Sequence, residues 1–238
     1  MRYLLIGRGR MGQCFREAAA ARGGEIEAML GRSDVETLGR MGRAADILVD
    51  FSRPEALPEL CSYARRTATP VLSGTTGCTG RDLAQLRALG AHVPVLWSAN
   101  YSLGIAVLRR AAAMAAAALG PDYDVEITER HHRRKADAPS GTALLLLQSV
   151  DPSGHLRPVY GRHGAAPRQE GEVGLHALRG GTAAGCHSVY FLGSGEGLTF
   201  THRADSREIF AQGALRCAAA LVGKPPGFYT LEDILFGA

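Results

Sequence analysis

One turn near the start of the chain constrains the fold more than any other stretch. Tyr3-Leu-Leu-Ile6 is a short apolar run of strand type, and it leads directly into Gly7-Arg-Gly-Arg-Met-Gly12, which opens a helical stretch over 13–22. Strand, G-x-G-x-x-G and helix in that order form the turn that receives a dinucleotide pyrophosphate. The glycines allow the tight turn and the close approach, and the free N–H groups of the helix start attract the phosphates. A chain with this turn is expected to form an α/β fold, a Rossmann-type parallel sheet with helices on its faces. Gly7, Gly9, Arg10, Met11 and Gly12 are the first cofactor-binding candidates.

The strands that follow fit that sheet. Residues 25–30 read as the second strand, where the fingerprint expects an acidic side chain for the ribose 2′-hydroxyl. Gly31-Arg32-Ser33 stands there instead. With no carboxylate to repel a 2′-phosphate, Arg32 can bind it and Ser33 can donate to it, so NADPH is expected in preference to NADH. Residues 46–51, 70–73 and 93–97 are three further buried strands, with a helix running to Arg66 after the first of them. In open parallel sheets ligands lie beyond the carboxyl ends of the strands, which places the turns at 51–52, 74–77 and 98–102 beside the cofactor.

A long Ala-rich helix over 102–119 leaves this unit, and the alternating run 123–129 delivers Glu129-Arg-His-His-Arg-Arg-Lys-Ala-Asp-Ala-Pro-Ser-Gly-Thr142. Two imidazoles and three permanent cations fall within 131–135. Ser140 can cap a helix whose first-turn N–H groups attract an anion. A titratable acid, a cationic rim and an anion cradle within so short a stretch suit a small substrate that carries carboxylates. Beyond it, the Gly/Pro-rich and basic segment 151–172 reads as a mobile loop. Runs at 173–179, 185–191 and 198–202 follow, joined by short turns, and suggest a mixed or antiparallel sheet on the two helices. The stretch from Thr201 then starts a helix to Val222, with Asp205 or Ser206 as its cap. The expected domains are 1–102 completed by C-terminal helices in 207–238, and a smaller α+β substrate-binding and oligomerisation domain over 103–206 with a mixed sheet.

Composition narrows the partners. The net charge is +4 with scattered arginines and no aromatic-interleaved basic stripe, so no nucleic-acid partner is expected. Five cysteines lie far apart without metal-ligand spacing, which points to free thiols in the cytoplasm and to no metal. No signal-peptide pattern follows Met1, and the run 111–118 is too short and weakly apolar for a membrane span. His155, His163, His176, His187 and His202 read as structural, since no spacing among them suggests a ligand set.

The string over 129–143 resembles the E-x-H-H-x-x-K-x-D-A-P-S-G-T-A signature of the dihydrodipicolinate reductase family, with every fixed position filled. The resemblance extends over essentially the whole chain. The family's glycine loop is usually G-x-x-G-x-M-G, one residue longer than here, while Arg10-Met11-Gly12 matches it. The resemblance implies reduction of 4-hydroxy-tetrahydrodipicolinate, a cyclic dicarboxylate of the diaminopimelate and lysine pathway, by NADPH or NADH. It implies His131 as the general acid, and histidine titrates near ~6.5, within reach of cytosolic pH. Lys135 would hold a substrate carboxylate and the ring nitrogen and act as a second candidate donor. His132, Ser140, Gly141 and Thr142 would bind substrate, with Asp137 orienting Lys135. Phe51, Ser52, Gly74, Thr75, Thr76, Ala99, Asn100 and Tyr101 would touch the cofactor, Tyr101 replacing the commoner Phe. Arg133 and Arg134 have no fixed role and read as steering charges or solvated surface. The family also implies a homotetramer assembled through the second sheet. Two other readings stand beside this one: a reductase of another cyclic imine or dicarboxylate, and a non-catalytic NADPH-binding sensor. The sensor would be expected to have lost the proton donor or the carboxylate cradle, and neither is lost.

Overall fold

The computed structural model describes residues 1–237. In chain order the elements are β1 (Arg2–Ile6), α1 (Arg10–Ala20), β2 (Glu25–Leu30), β3 (Ile47–Asp50), α2 (Leu57–Thr67), β4 (Val71–Ser73), α3 (Gly80–Leu89), β5 (Pro94–Trp97) and α4 (Leu103–Leu119). There follow β6 (Asp124–His131), α5 (Gly141–Val150), β7 (Arg157–Tyr160), β8 (Glu172–Arg179), β9 (Gly185–Leu192), β10 (Gly197–Ala204), α6 (Glu208–Leu221), β11 (Gly227–Tyr229) and α7 (Leu231–Phe236). They group into two units, residues 1–103 with 208–237, and Gly104–Arg207.

The first unit is a six-stranded sheet in the order β11-β5-β4-β3-β1-β2, with every neighbouring pair parallel. Its central strands are buried on both faces, which is why they read as unbroken apolar runs and not as alternations. Leu57, Leu60 and Tyr63 of α2 and Leu86 and Leu89 of α3 pack with Leu4, Ile6, Leu48 and Val95 of the sheet. Helices α1 and α6 pack together and bury Phe15, Ala211, Ala214 and Ala218 completely, with Phe15 edge-on to Tyr3 at 5.2 Å. Two elements differ from the sequence reading, which leaves 78–92 without a helix and the sheet without a C-terminal strand. α3 starts at a reciprocal capping box between Thr79 and Asp82. β11 adds a sixth strand beside β5.

The second unit is a five-stranded sheet in the order β10-β9-β6-β8-β7. β6 lies at its centre, antiparallel to β9 and parallel to β8. The short turn between β8 and β9 suggests a hairpin, but β6 is inserted between them. Alternate residues of β6 face the helices, so Val125 and Ile127 join Ile105, Leu108, Ala112, Leu146, Val189 and Phe191 in one core. The segment 151–172 is not all loop either, because 157–160 forms β7, parallel to β8. The remaining turn is tied by Arg162 to Glu172 at 2.7 Å and by Arg168 to Asp124 at 2.8 Å. β10 runs on through Ala204, so residues 201–204 are strand, and helix begins only at Glu208.

Among the described residues one helical stretch, Leu103–Asp122, is long and apolar enough to cross a bilayer by length and composition. Its Ile105, Leu108 and Ala112 lie in the core of the second unit, and its Arg109 bonds Ser149 at 3.1 Å. One face of this helix is therefore packed in that core, while Val107 and Met114 are exposed.

Candidate active site

In the first unit the turn after β1 is backbone packed on backbone. Gly7 has φ +111°, and a Cβ there would lie 2.3 Å from the Phe51 carbonyl oxygen. A Cβ on Gly12 would lie 1.9 Å from the Gly7 carbonyl oxygen. Only glycine permits this fold of the chain. Gly9 caps α1 without a side-chain bond, and the space around its Cα is open. Together with the unbonded first-turn N–H groups of α1, this leaves a cradle that fits a pyrophosphate. Arg10 is exposed and Met11 half-buried at the head of the helix.

The turns after β3, β4 and β5 meet around Asp50, which is fully buried. Its carboxylate accepts bonds from Ser52 N at 3.0 Å, Ser73 Oγ at 2.7 Å, Thr75 Oγ1 at 2.8 Å and the Ser52 hydroxyl. Burial pushes its carboxyl above the usual range despite these donors. Trp97 donates to the Thr75 carbonyl at 3.0 Å, and the Tyr101 hydroxyl donates to the Ser73 carbonyl at 2.7 Å. The hydroxyl that distinguishes Tyr101 from Phe is thus used to pin β4. The Phe51 ring packs between Phe15 and Tyr101, with centroids 5.9 and 6.2 Å away, and lies where a Cβ on Gly74 would fall. Thr76 and Ala99 are exposed at the turn tips, and Asn100 accepts from Ser102 N at 2.8 Å.

Arg32 and Ser33 are exposed at the end of β2. A carboxylate does stand there, contrary to what residues 31–33 suggest. Asp34 accepts from Gly31 N at 2.9 Å and from Ser33 Oγ at 3.2 Å, and it pairs with Arg8. The Gly31 amide and then the Arg8 guanidinium hold its carboxyl below the usual range.

In the second unit, β6 ends at His131, and the following loop returns to α5. Ser140 caps α5, accepting from Ala143 N at 3.2 Å, and Gly141 begins the helix in open space. The Ser140 hydroxyl also meets His187 Nε2 at 3.1 Å, which ties it to β9 and leaves one site on its oxygen. Lys135 is clasped by both oxygens of Asp137, at 2.7 and 2.8 Å, and that ammonium holds the Asp137 carboxyl low. His132 is anchored by its backbone N–H on the Ala183 carbonyl at 2.9 Å, while its Nδ1 is buried without a partner. Burial and the cations Arg207 and Arg134 depress its pKa. His132, Arg133, Arg134 and Arg207 line a cavity of about 470 Å³, so the two arginines without an assigned role face a common cationic hollow.

Sequence spacing does not show how Glu129, Arg179 and His187 come together in this region. Glu129 contacts His131 Nδ1 at 2.6 Å and Ser140 N at 2.9 Å. Arg179 grips the same carboxylate with two bonds, at 2.6 and 2.7 Å. Burial pushes the Glu129 carboxyl up, but the bonds from Arg179, His131 and Ser140 outweigh it and hold the group below the usual range. His187 lies edge-on to His131 with centroids 5.0 Å apart. No local signal marks these partners, since Glu129 and Arg179 are 50 residues apart.

A glycine-turn parallel sheet and, in the second unit, an imidazole backed by a carboxylate and a lysine beside a capped helix start define an oxidoreductase that uses a nicotinamide dinucleotide. Residues 1–101 match the family described as dihydrodipicolinate reductase, N-terminus, and residues 104–235 match its C-terminus. The chain is 39% identical to the 4-hydroxy-tetrahydrodipicolinate reductase of Zymomonas mobilis over 237 residues, 95% of this chain and 93% of that protein. It is 43% identical to the enzyme of the same name from Clostridium novyi over 193 residues, 80% of this chain and 77% of that protein. Among solved structures, a dipicolinate-bound dihydrodipicolinate reductase from Paenisporosarcina sp. TG-14 has the same fold, with a TM-score of 0.80 at 24% identity and 99% of both chains covered. The chain belongs to the dihydrodipicolinate reductase family.

The buried His187 makes stability depend on pH. Burial, followed by the charge of His131, lowers its pKa from 6.5 to about 4. Between those values the unfolded chain takes up a proton that the folded chain refuses. Stability from this group is therefore full above about 6.5 and falls as the pH drops towards 4. The window is worth on the order of 2–3 kcal/mol. Urea denaturation at neutral pH and near pH ~5 is expected to show a smaller acid loss for His187→Asn than for the unaltered protein. An equal loss in both would remove His187 as the cause.

Proposed function

We propose that this chain reduces 4-hydroxy-tetrahydrodipicolinate to tetrahydrodipicolinate in the diaminopimelate and lysine pathway, with His131 as proton donor. The observation that carries the reading is the gathering of the whole 129–143 signature in one place. His131 stands at the end of β6 on a buried carboxylate, Lys135 follows in the loop, and the capped start of α5 closes the return. A bound nicotinamide supplies hydride to the substrate ring. His131 delivers the proton that completes the reduction, at an imidazole whose other nitrogen is already engaged by Glu129. Lys135 holds a substrate carboxylate, exchanging its bond to the exposed Asp137 for one to the ligand. Gly141 and Thr142 receive a carboxylate at the helix start, where backbone N–H groups and the helix dipole favour an anion. His132 and the cationic hollow beside it attract a doubly charged substrate.

NADPH is the preferred cofactor in this reading. Arg32 and Ser33 are exposed at the end of β2, and the Asp34 carboxylate beside them has its charge matched by Arg8. The turns at Phe51-Ser52, Gly74-Thr75-Thr76 and Ala99-Asn100-Tyr101 border the nicotinamide half. Asp50 sets the first two of them, and Thr75 and Tyr101 contribute mainly through the bonds that fix those turns.

The assembly we propose is a homotetramer built through the open face of the second sheet. That face carries Leu178 and Leu192, 52% and 46% exposed, together with Arg130 and Tyr190, and helices α4 and α5 pack on the other side. All five cysteines are free, which suits the reducing cytoplasm where we place the enzyme.

The first test is consumption of NADPH and NADH in parallel while the preceding synthase forms substrate from pyruvate and aspartate semialdehyde. Turnover is expected, and His131→Ala should lower kcat by roughly 10²–10⁴ with cofactor binding kept. No turnover from folded protein that binds NADPH would favour another imine substrate or a sensor. Arg32→Ala should raise KM for NADPH by about 10- to 100-fold, the equivalent of the ~1.5–3 kcal/mol of a charge-assisted bond, and leave NADH nearly unchanged. An equal effect on both cofactors would remove Arg32 from the 2′-phosphate. Sedimentation velocity should give four chains per particle, and Leu178→Glu should shift the particle to smaller species. A monomeric unaltered protein would overturn the assembly.

A further inference from the structure

Glu129 is buried, its side chain 1% exposed, and its four bonds lead to three partners, His131, Arg179 and Ser140. Oε2 lies 2.6 Å from His131 Nδ1 and 2.7 Å from one Arg179 nitrogen, while Oε1 lies 2.6 Å from the other and 2.9 Å from Ser140 N. The two-pronged grip of Arg179, from β8, fixes the plane of the carboxylate and leaves Oε2 facing the ring. An ionised carboxylate only accepts, so Nδ1 must carry the hydrogen of this bond. The nitrogen left for proton exchange is then Nε2. That edge of the ring lies against Gly185 of β9, where an added Cβ would be 3.0 Å from Nε2.

The charged and titratable groups around His131 are few. Glu129 shares its strand, Arg179 comes from β8, His187 from β9, and His132 and the Asp137-bound Lys135 from the following loop. His202 on β10 acts on His187. Arg179 already balances the charge of Glu129, so the contribution of Glu129 to His131 is first of all geometric.

We propose that Glu129, clamped by Arg179, is the positioning residue of the proton donor: it fixes His131 with hydrogen on Nδ1 and so makes Nε2 the atom that delivers the proton. The inference rests on His131 being that donor. The ring hydroxyl must leave as water, taking a hydrogen from the neighbouring ring carbon, and its departure opens the π bond that is reduced. A bound nicotinamide would supply hydride to one end of that bond, and the displaced π pair would take the proton from Nε2, which would keep its lone pair until solvent returns a proton. The bond from Ser140 N to the same carboxylate joins the ring to the helix start that receives the substrate carboxylate, so donor and cradle are set by one group.

Two-bond ¹H–¹⁵N correlation spectra of the unaltered full-length protein read the tautomer directly, with His131 assigned by the signals lost in His131→Gln. The neutral ring is expected to carry hydrogen on Nδ1; a ring with hydrogen on Nε2, or one averaging between both forms, overturns the proposal. Glu129→Gln is then assayed against the unaltered enzyme, with kcat expected to fall roughly 10²-fold or more and KM for NADPH unchanged. The high-pH limb of the kcat profile should move to lower pH, because the amide leaves the Arg179 charge unbalanced close to the ring. An unchanged kcat and an unchanged profile overturn the proposal. If Glu129→Gln does not fold, the tautomer of the unaltered protein decides. Turnover of the unaltered enzyme in the same run separates the two levels. Its absence defeats the reductase reading itself, whereas normal turnover with hydrogen on Nε2 defeats only the role of Glu129.

Discussion

A carboxylate taken out of water costs several kcal/mol unless fixed donors replace its hydration. The second unit meets that cost at Glu129 with four bonds drawn from β6, β8 and the start of α5. Those elements must therefore be in register before the carboxylate can be buried. The register is set by the other half of the same strand, where Val125 and Ile127 face the helices in the apolar core. A slip of one residue would turn Glu129 and His131 to the open face of the sheet and expose the apolar pair with them. Core packing and site chemistry are consequently two ends of a single constraint.

The first unit uses a buried acid differently. Asp50 is surrounded by hydroxyls and a backbone amide and has no bonded cation, so burial raises its pKa, whereas Arg179 helps to hold Glu129 low. Neutral donors suit a hub whose task is to tie turns together: Ser52 belongs to the turn after β3, and Ser73 and Thr75 to the end of β4. Trp97 extends the tie to β5 through the Thr75 carbonyl. The exposed tips of these turns are left to the ligand, and the buried residues beneath them set their positions.

Much of this was legible in the chain because its signals are local. The apolar runs of the parallel strands, the glycine turn and the Ser140 cap each depend on residues adjacent in sequence. The two short edge strands, β7 and β11, have weak local signatures. β7 is four residues long and contains Pro158, which fits only an edge. β11 has three residues, too few to show a pattern. α3 does carry a local signal, the Thr79-Gly-Arg-Asp82 capping box ahead of Leu83, Leu86 and Leu89. The placement of β6 between β8 and β9 cannot be read from a short connection, because alternation along a strand does not say which strand lies beside it. Glu129 was visible as a fixed position of the signature, but its tie to Arg179 spans 50 residues and leaves no trace in spacing. Asp34 lies one residue beyond Gly31-Arg32-Ser33, and only the fold of the turn brings its carboxylate back to the Gly31 amide.

The position of β11 has a consequence for the order in which the chain can close. All five strands of the second sheet have been made once residue 204 is in place. The first sheet waits for Gly227–Tyr229, and its partner for α1 is α6, also made late. During synthesis, then, the unit that contains β1 can finish only after the other, and β5 has a bare edge until residues 227–229 arrive. The part of the molecule built first is the part that must be kept waiting.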